Sequence, residues 1–167
     1  AMNISSALET TADRSVTFAG FISLFLRLAR RDGSLVPEIA FLIRFILLGS
    51  LGVLFLAVLP LVASGLGATG APLWRTASSF GLAGCLGMGL FAINQRRALS
   101  DREVTVFVRL AWLLATLNGL ANLSNIAGWP LSPNGGVYLA AIWLGLAITA
   151  VNLVDLVFRF ALREPAA

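Results

Sequence analysis

Four long apolar segments limit what this chain can fold into more than any other feature of its sequence. They cover approximately residues 39–64, 73–94, 104–127 and 137–160. Each is long enough for a helix to cross about 30 Å of hydrocarbon, which takes roughly twenty residues. Shorter polar and turn-forming stretches separate them. The pattern predicts an all-α integral membrane protein, a four-helix bundle made of two helical hairpins.

Composition agrees with a membrane protein and removes several kinds of chemistry. Of the 167 residues, 58% are apolar and 12% are charged, whereas soluble domains carry about 25% charged residues. The chain has no histidine, one cysteine (Cys85) and no lysine, since all twelve basic residues are arginines. Histidine ligands for haem or zinc, an intrachain disulfide and a lysine Schiff base are therefore absent. We expect no enzymatic activity, no cofactor and no metal.

The arginines cluster at one end of the predicted spans, which sets an expected orientation. Because cytoplasmic loops carry an excess of basic residues, both termini are expected in the cytoplasm. Trp74, Trp129 and Tyr138 lie at the other end, where an outer aromatic belt would be. The lysine-free, Arg-rich composition suggests a bacterial inner membrane. The net charge of +4 follows from these arginines, so we do not take it as a sign of nucleic-acid binding. The arginines concerned are Arg14, Arg27, Arg30, Arg31, Arg96, Arg97, Arg102, Arg159 and Arg163.

The chain before the first span reads as a separate N-terminal segment, 1–38. Within it, 15–31 is apolar for about a dozen residues, which is too short to span. Its arginines lie mostly opposite its apolar face, so we predict an amphipathic helix on the cytoplasmic interface. The alternative is a helix packed against the bundle in a larger assembly. The transmembrane domain then covers 39–163, followed by a tail, 164–167.

Small residues recur along the second span at every fourth position and again along the fourth span. Helices in lipid associate through close van der Waals approach, so these positions predict tight helix packing. The constant offset between the two sets, with Arg44 and Arg109 early in the first and third spans, suggests a tandem repeat of one hairpin. The packing positions are Ala77, Gly81, Gly84, Cys85, Gly89 and Gly145.

Polar side chains inside the third and fourth spans are the main functional signal. Asn118, Asn122 and Asn125 share one helical face at i, i+4 and i+7, and Asn152 and Asp155 occupy the inner half of the fourth span. Such residues either line a path for an ion, a proton or a polar head group, or join helices through hydrogen bonds. The sequence leaves both interpretations open.

Asp155 is expected to have a partner, because a carboxylate at the bilayer centre costs about 2.5–3.5 kcal/mol on insertion scales. Arg44 and Arg109 lie at a similar depth, and Arg159 follows one turn later on the same helix. Since the third and fourth spans form one hairpin, Arg109 is the preferred partner. The predicted intramembrane ion pair is therefore Arg109 with Asp155, with Arg44 as a further candidate.

Two short stretches, "IRFILLGSLGVLFL" and "FAINQRRAL", resemble the GtrA-like small membrane proteins. The resemblance implies four spans, cytoplasmic termini, duplicated hairpins and a role in moving polyprenyl-linked sugars across the membrane. The aromatic residues that follow the Asn–Arg pair in that family are absent here, and the long N-terminal segment departs from its compact form. The residues that carry the resemblance are Arg44, Phe45, Gly49, Asn94, Arg96 and Arg97.

The sequence therefore favours a small transport or channel-type protein that works as an oligomer among membrane lipids. In that interpretation the asparagines and Asp155 form a polar track, and Asp155→Asn abolishes activity more than it lowers stability. The alternative is a non-catalytic scaffold or accessory subunit of a larger membrane complex, which docks through the second span and the N-terminal helix. A lipid-linked-sugar flippase role is a third and lesser option.

Overall fold

The computed structural model describes residues 3–31, 37–98 and 106–161, which fold into five α-helices and contain no β-strand. In chain order the helices are α1 (Ile4–Arg31), α2 (Pro37–Gly65), α3 (Gly70–Ala98), α4 (Val106–Ala127) and α5 (Gly135–Ala161). By length and composition, α2 to α5 can each cross a membrane, so the four predicted spans are confirmed, with every end within four residues. Arg102, Arg163 and the predicted tail 164–167 lie outside the described residues.

Glycines in the left-handed region follow two of the spanning helices. Gly67 (φ 91°) follows α2, and the amide of Ala68 donates to the carbonyl of Ala63 at 3.0 Å. Gly128 (φ 71°) follows α4, and its amide donates to the carbonyl of Ser124 at 2.9 Å. Glycine adopts this conformation without the steric penalty that a Cβ brings. These turns fold α2–α3 and α4–α5 back into hairpins.

The four spanning helices form a ring in which each helix contacts the next and α5 contacts α2. Across the ring α3 touches α5, whereas α2 and α4 make no direct contact within the described chain. One end of the bundle holds the α2–α3 and α4–α5 turns, and we name it the aromatic end after Trp74, Trp129 and Tyr138. The other end, where α2 and α4 begin, is the opposite end. The gap between α2 and α4 leaves space inside the ring.

The first helix, α1, packs lengthwise along α2 and α5 and does not lie across one end of the bundle. Near its start, Leu8 belongs to a cluster with Tyr138 towards the aromatic end. Near its end, Ile22 packs with Ile43 and Leu156 towards the opposite end. Its 28 residues correspond to about 42 Å, the length of a spanning helix. This packing matches the alternative of a helix on the bundle rather than the interfacial helix preferred from the sequence.

The helix α1 begins at Ile4, well before the predicted 15–31. Hydroxyl groups in its polar first half form hydrogen bonds to backbone carbonyls of the same helix. Asn3 caps it, since the Asn3 Oδ1 accepts a 3.1 Å hydrogen bond from the amide of Ser5. The hydroxyls of Thr11 and Ser15 donate to carbonyls four residues earlier, at 2.7 and 2.8 Å. Hydroxyls bonded to their own backbone can be buried without a large penalty, and apolar periodicity does not reveal them.

The course of α1 places its first residue, Ile4, far from the last described residue of α5. Ile4 lies against Gly135 at the aromatic end, where a Cβ on the glycine would come within 2.8 Å of the Ile4 Cδ1. The last described residue of α5, Ala161, lies at the opposite end. Ile4 and Ala161 therefore lie at opposite ends of the bundle, and the cytoplasmic location expected of both termini stays a prediction.

Candidate functional site

A cavity of about 150 Å³ lies inside the ring of α2, α3, α4 and α5, where α2 and α4 do not meet. It extends from Phe41 to Leu56 along α2 and from Tyr138 to Asn152 along α5. The wall is largely aliphatic and aromatic carbon, opened by six glycines, and none of the described lining residues is charged. Its amide and hydroxyl groups belong to Asn118, Asn122, Tyr138, Thr149 and Asn152.

Asn118 and Asn122 form a hydrogen-bonded pair on the wall that α4 contributes. The Asn122 Nδ2 donates to the Asn118 Oδ1 at 2.7 Å and to the Asn118 backbone carbonyl at 3.1 Å. The Asn122 Oδ1 is buried and accepts no hydrogen bond within the described chain, and the Asn118 Nδ2 donates to no acceptor there. The pair therefore keeps unused hydrogen-bonding capacity at the cavity wall.

Two of the predicted packing glycines make room for these amides. A Cβ at Gly81 would lie 2.5 Å from the Asn122 Oδ1, and a Cβ at Gly145 would lie 3.3 Å from the Asn118 Nδ2. At Gly84 and Gly89 a Cβ would meet no atom within 4 Å, and both glycines line the cavity. Because they lack a side chain, Gly81 and Gly145 leave room for the asparagine amides, whereas Gly84 and Gly89 widen the cavity.

The remaining small residues of α3 make helix contacts. Ala77 is 2% exposed and belongs to the cluster near the aromatic end. The Cys85 Sγ lies 3.5 Å from the backbone carbonyl of Ala115 on α4 and donates a weak hydrogen bond to it. A small side chain at each position lets α3 approach its neighbours closely.

The third cavity amide, Asn152, lies on α5. Its Nδ2 donates to the carbonyl of Ile148 at 2.7 Å, while its Oδ1 accepts no hydrogen bond within the described residues. Nearby on the same helix, the Thr149 hydroxyl donates to the carbonyl of Gly145 at 3.1 Å. A Cβ at Gly49 would lie 3.0 Å from that hydroxyl, so α2 and α5 approach closely at this point.

Asn125 lies outside the cavity and holds structural elements together. Its Nδ2 donates to the Ser78 hydroxyl on α3 at 2.8 Å, and its Oδ1 accepts from the backbone amide of Asn134 at 2.9 Å. The Asn134 side chain in turn caps α5 by accepting from the amide of Val137 at 3.0 Å. The asparagine face predicted for α4 is therefore divided: Asn118 and Asn122 line the cavity, and Asn125 fixes the turn between α4 and α5.

Asp155 pairs with Arg159 rather than with Arg109. The Arg159 Nε donates to the Asp155 Oδ1 at 3.1 Å, and the two side chains are 27% and 5% exposed. Arg109 and Arg44 are exposed, and neither bonds Asp155 in the described chain. A partner four residues away on the same helix needs no alignment between two helices, which explains why the local pair forms. Asp155 is not a lining residue of the cavity, so the predicted polar track loses its charged member.

Tyr138 borders the cavity near the aromatic end and is completely buried. Its hydroxyl donates a 2.6 Å hydrogen bond to the backbone carbonyl of Leu56 on α2. From the sequence, Tyr138 is expected in an outer aromatic belt, but its burial does not fit that position. Trp129, which is 77% exposed, does fit it. The signal that identifies the role of Tyr138 is Pro60 in α2, because a proline leaves the carbonyl four residues earlier without its helical donor.

The cavity offers hydrogen bonding and apolar contact rather than ligands for a metal. Among residues 3–31, 37–98 and 106–161, no three His, Cys, Asp or Glu side chains come together. The arrangement can therefore recognise a neutral polar group through amides while its carbon wall contacts an apolar one.

The chain matches no known protein-family model, and no curated protein and no solved structure shows similarity to it. The resemblance to the GtrA-like proteins gains no support from these comparisons. The function of the chain has to be argued from its own cavity.

Proposed function

We propose that this protein binds an uncharged amphipathic lipid in the cavity between α2, α3, α4 and α5, and that it carries this lipid as a non-enzymatic transport protein of the bacterial inner membrane. One observation carries the proposal: an apolar cavity with three asparagine amides and no charged residue among its described lining. Apolar pockets with a few convergent polar groups are the usual form of small-molecule sites.

The unused hydrogen-bonding groups indicate the chemistry of the polar part of the ligand. The Asn118 Nδ2 is a donor without an acceptor, and the Asn152 Oδ1 is an acceptor without a donor, among the described residues. A hydroxyl can bond either group, and a carbonyl can bond the first. The aliphatic wall suits a hydrocarbon chain, since burying a methylene group contributes about 0.8 kcal/mol.

The same features favour a neutral lipid over an ion or a phosphate-linked lipid. Moving an isolated charge into an apolar site is costly unless it is paired, and the described lining provides no charged partner. Asp155 bonds Arg159 and Asn125 bonds Ser78, so neither extends the amides into a continuous track. A carrier-type site is therefore better supported than a channel.

Identification of the bound lipid tests the proposal. Wild-type protein extracted with its surrounding lipids is expected to retain an uncharged lipid in native mass spectrometry. Ala111→Phe adds an aromatic ring to the lining and should lose this lipid. The matched control is Ala83→Phe, because Ala83 is exposed on α3 and does not line the cavity. Equal retention by Ala111→Phe and wild type, or recovery of charged phospholipids alone, would refute the proposal.

A second candidate, a subunit of a membrane assembly, is favoured by the outward face of α1. Glu9, Asp13 and Arg14 are exposed on this helix, which runs alongside α2 and α5. The Trp143 Nε1 donates to the Thr11 hydroxyl at 3.0 Å. This part of α1 therefore lies beside Trp143, the ninth residue of α5. That position is about 12 Å along the helix, at 1.5 Å per residue. Charged side chains facing hydrocarbon are costly, so a second copy or a foreign subunit covers this face in the second candidate.

The mass of the gently extracted complex distinguishes the two candidates. An assembly through α1 should lose its partner when Asp13→Asn and Arg14→Gln are combined, whereas the first candidate requires no change. Docking through α3 is tested best with Gly87→Leu, because Gly87 is exposed and does not line the cavity. Gly81 and Gly84 are less suitable for this purpose, since Gly81 abuts Asn122 and Gly84 lines the cavity.

A further inference from the structure

The seam between α2 and α3 is bridged by aromatic pairs at two levels. Towards the opposite end, the rings of Phe41 and Phe91 stack with centroids 6.0 Å apart. Towards the aromatic end, Phe55 and Phe80 meet edge to face at 6.2 Å. Because the helices are antiparallel, the residues between Phe41 and Phe55 on α2 lie opposite those between Phe80 and Phe91 on α3.

Between these two pairs, glycines leave space along the seam. Gly52 on α2 and Gly84 on α3 are both exposed, and both line the cavity. A Cβ on either glycine would meet no atom within 4 Å. Leu48, one turn from Gly52, is also a lining residue and is 48% exposed. We name this opening, bounded by Leu48, Gly52 and Gly84, the lateral window.

The lateral window lies near the middle of both helices. Gly52 is about 22 Å along α2 from Pro37, and Gly84 is about 21 Å along α3 from Gly70, at 1.5 Å per residue. Each helix has 29 residues, so both glycines are close to the midpoint. In a bilayer this depth is occupied by hydrocarbon chains rather than by water or charged head groups.

Hydrogen-bonding groups lie one helical turn from the lateral window. Gly81 precedes Gly84 by one turn on α3 and abuts the Asn122 side chain. Asn122 is 2% exposed and lines the cavity, and its Oδ1 has no hydrogen-bond donor within the described chain. That oxygen is sealed against Gly81, so the group open to a ligand is the neighbouring Asn118 Nδ2, which lines the cavity and has no acceptor within the described chain.

We infer that the lateral window admits an uncharged lipid with a small head group sideways from the bilayer. The hydroxyl or carbonyl of this lipid then lies at Asn118 and Asn122, and its hydrocarbon chain passes between Gly52 and Gly84. A small neutral head group is required, because a charged one would have to cross the hydrocarbon at mid-depth. This inference rests on the proposed function, and it adds the route of access and the size of the head group.

Uptake kinetics of a photoreactive lipid test the lateral window. The probe is a monoacylglycerol with a diazirine beside its glycerol head group, added from a cyclodextrin complex to the full-length protein in phosphatidylcholine nanodiscs. Photolabelling of the α4 peptide that contains Asn118 and Asn122 is followed over time. Gly84→Phe adds a ring at the window from α3 and Gly52→Phe adds one from α2, and the Cβ of either side chain would meet no atom within 4 Å. The control is Gly87→Phe, at an exposed glycine with the same open space that does not line the cavity.

We expect labelling to develop about tenfold more slowly in both window variants and at the wild-type rate in Gly87→Phe, because a ring at Gly52 or Gly84 narrows the route between α2 and α3. Wild-type rates in both window variants, together with loss of labelling in Ala111→Phe, would overturn the lateral window and leave the proposed cavity intact. Absence of labelling in the wild type would overturn both.

Discussion

The hydroxyl of Tyr138 donates a 2.6 Å hydrogen bond to the backbone carbonyl of Leu56. Leu56 is four residues before Pro60, which lies inside α2 and has no N–H to donate to that carbonyl. In a bilayer no water is present to replace the missing donor, so a group from another helix has to do so. This one hydrogen bond supplies the donor that the Leu56 carbonyl lacks and joins α5 to α2 beside the cavity.

Tyr138→Phe is expected to destabilise the protein by about 1–3 kcal/mol, because the Leu56 carbonyl is left buried without a donor. Thermal unfolding in a fixed detergent measures the effect as a lower Tm. The control is Pro60→Ala, which restores an N–H four residues after Leu56. In the Pro60→Ala background the same Tyr138→Phe change should cost clearly less, and an equal cost in both backgrounds would contradict this explanation.

Gly81→Ala is expected to destabilise the protein by about 1–3 kcal/mol, because the added Cβ would lie 2.5 Å from the Asn122 Oδ1. Gly87→Ala is the matched control on the same helix, since nothing lies within 4 Å of its added Cβ. Alanine favours a helix over glycine, so this control should be neutral or slightly stabilising. Unfolding temperatures of the two variants give the comparison, and similar values would show that Gly81 does not hold the Asn122 side chain.

The pair of Asp155 and Arg159 is expected to contribute to stability and not to lipid binding. Arg159→Gln should lower the Tm more than Asp155→Asn, because it leaves a buried carboxylate without its partner. Both variants should keep the bound lipid, since Asp155 is not a lining residue of the cavity. If Asp155→Asn lost the lipid at an unchanged Tm, the polar track expected from the sequence would be restored.

The course of α1 predicts which residues face the same side of the membrane. In a Cys85→Ala background, Ser6→Cys and Ser64→Cys should react with a membrane-impermeant maleimide from one side of sealed vesicles, and Val106→Cys from the other. Ser6 and Ser64 lie near the aromatic end, whereas Val106 begins α4 at the opposite end. Labelling of Ser6→Cys from the same side as Val106→Cys would favour the interfacial helix predicted from the sequence.

Much of the architecture was predictable, because the length of an apolar run is a local property. A segment of about twenty apolar residues crosses a bilayer whichever neighbours it packs against. The ends of α2 and α5 therefore lie close to their predicted positions. The asparagines of α4 were also identified correctly as an unusual set, since i, i+4 and i+7 spacing defines a face without any tertiary information.

The sequence by itself determined that four helices of this chain are able to span a membrane and that amides lie within them. The tertiary structure decided that Asn118 and Asn122 line a cavity while Asn125 holds a turn, and that Asp155 bonds Arg159. It also decided that α1 runs along the bundle. The physical reason is that these choices depend on the rotation and relative position of each helix, which arise from the packing of all five helices together.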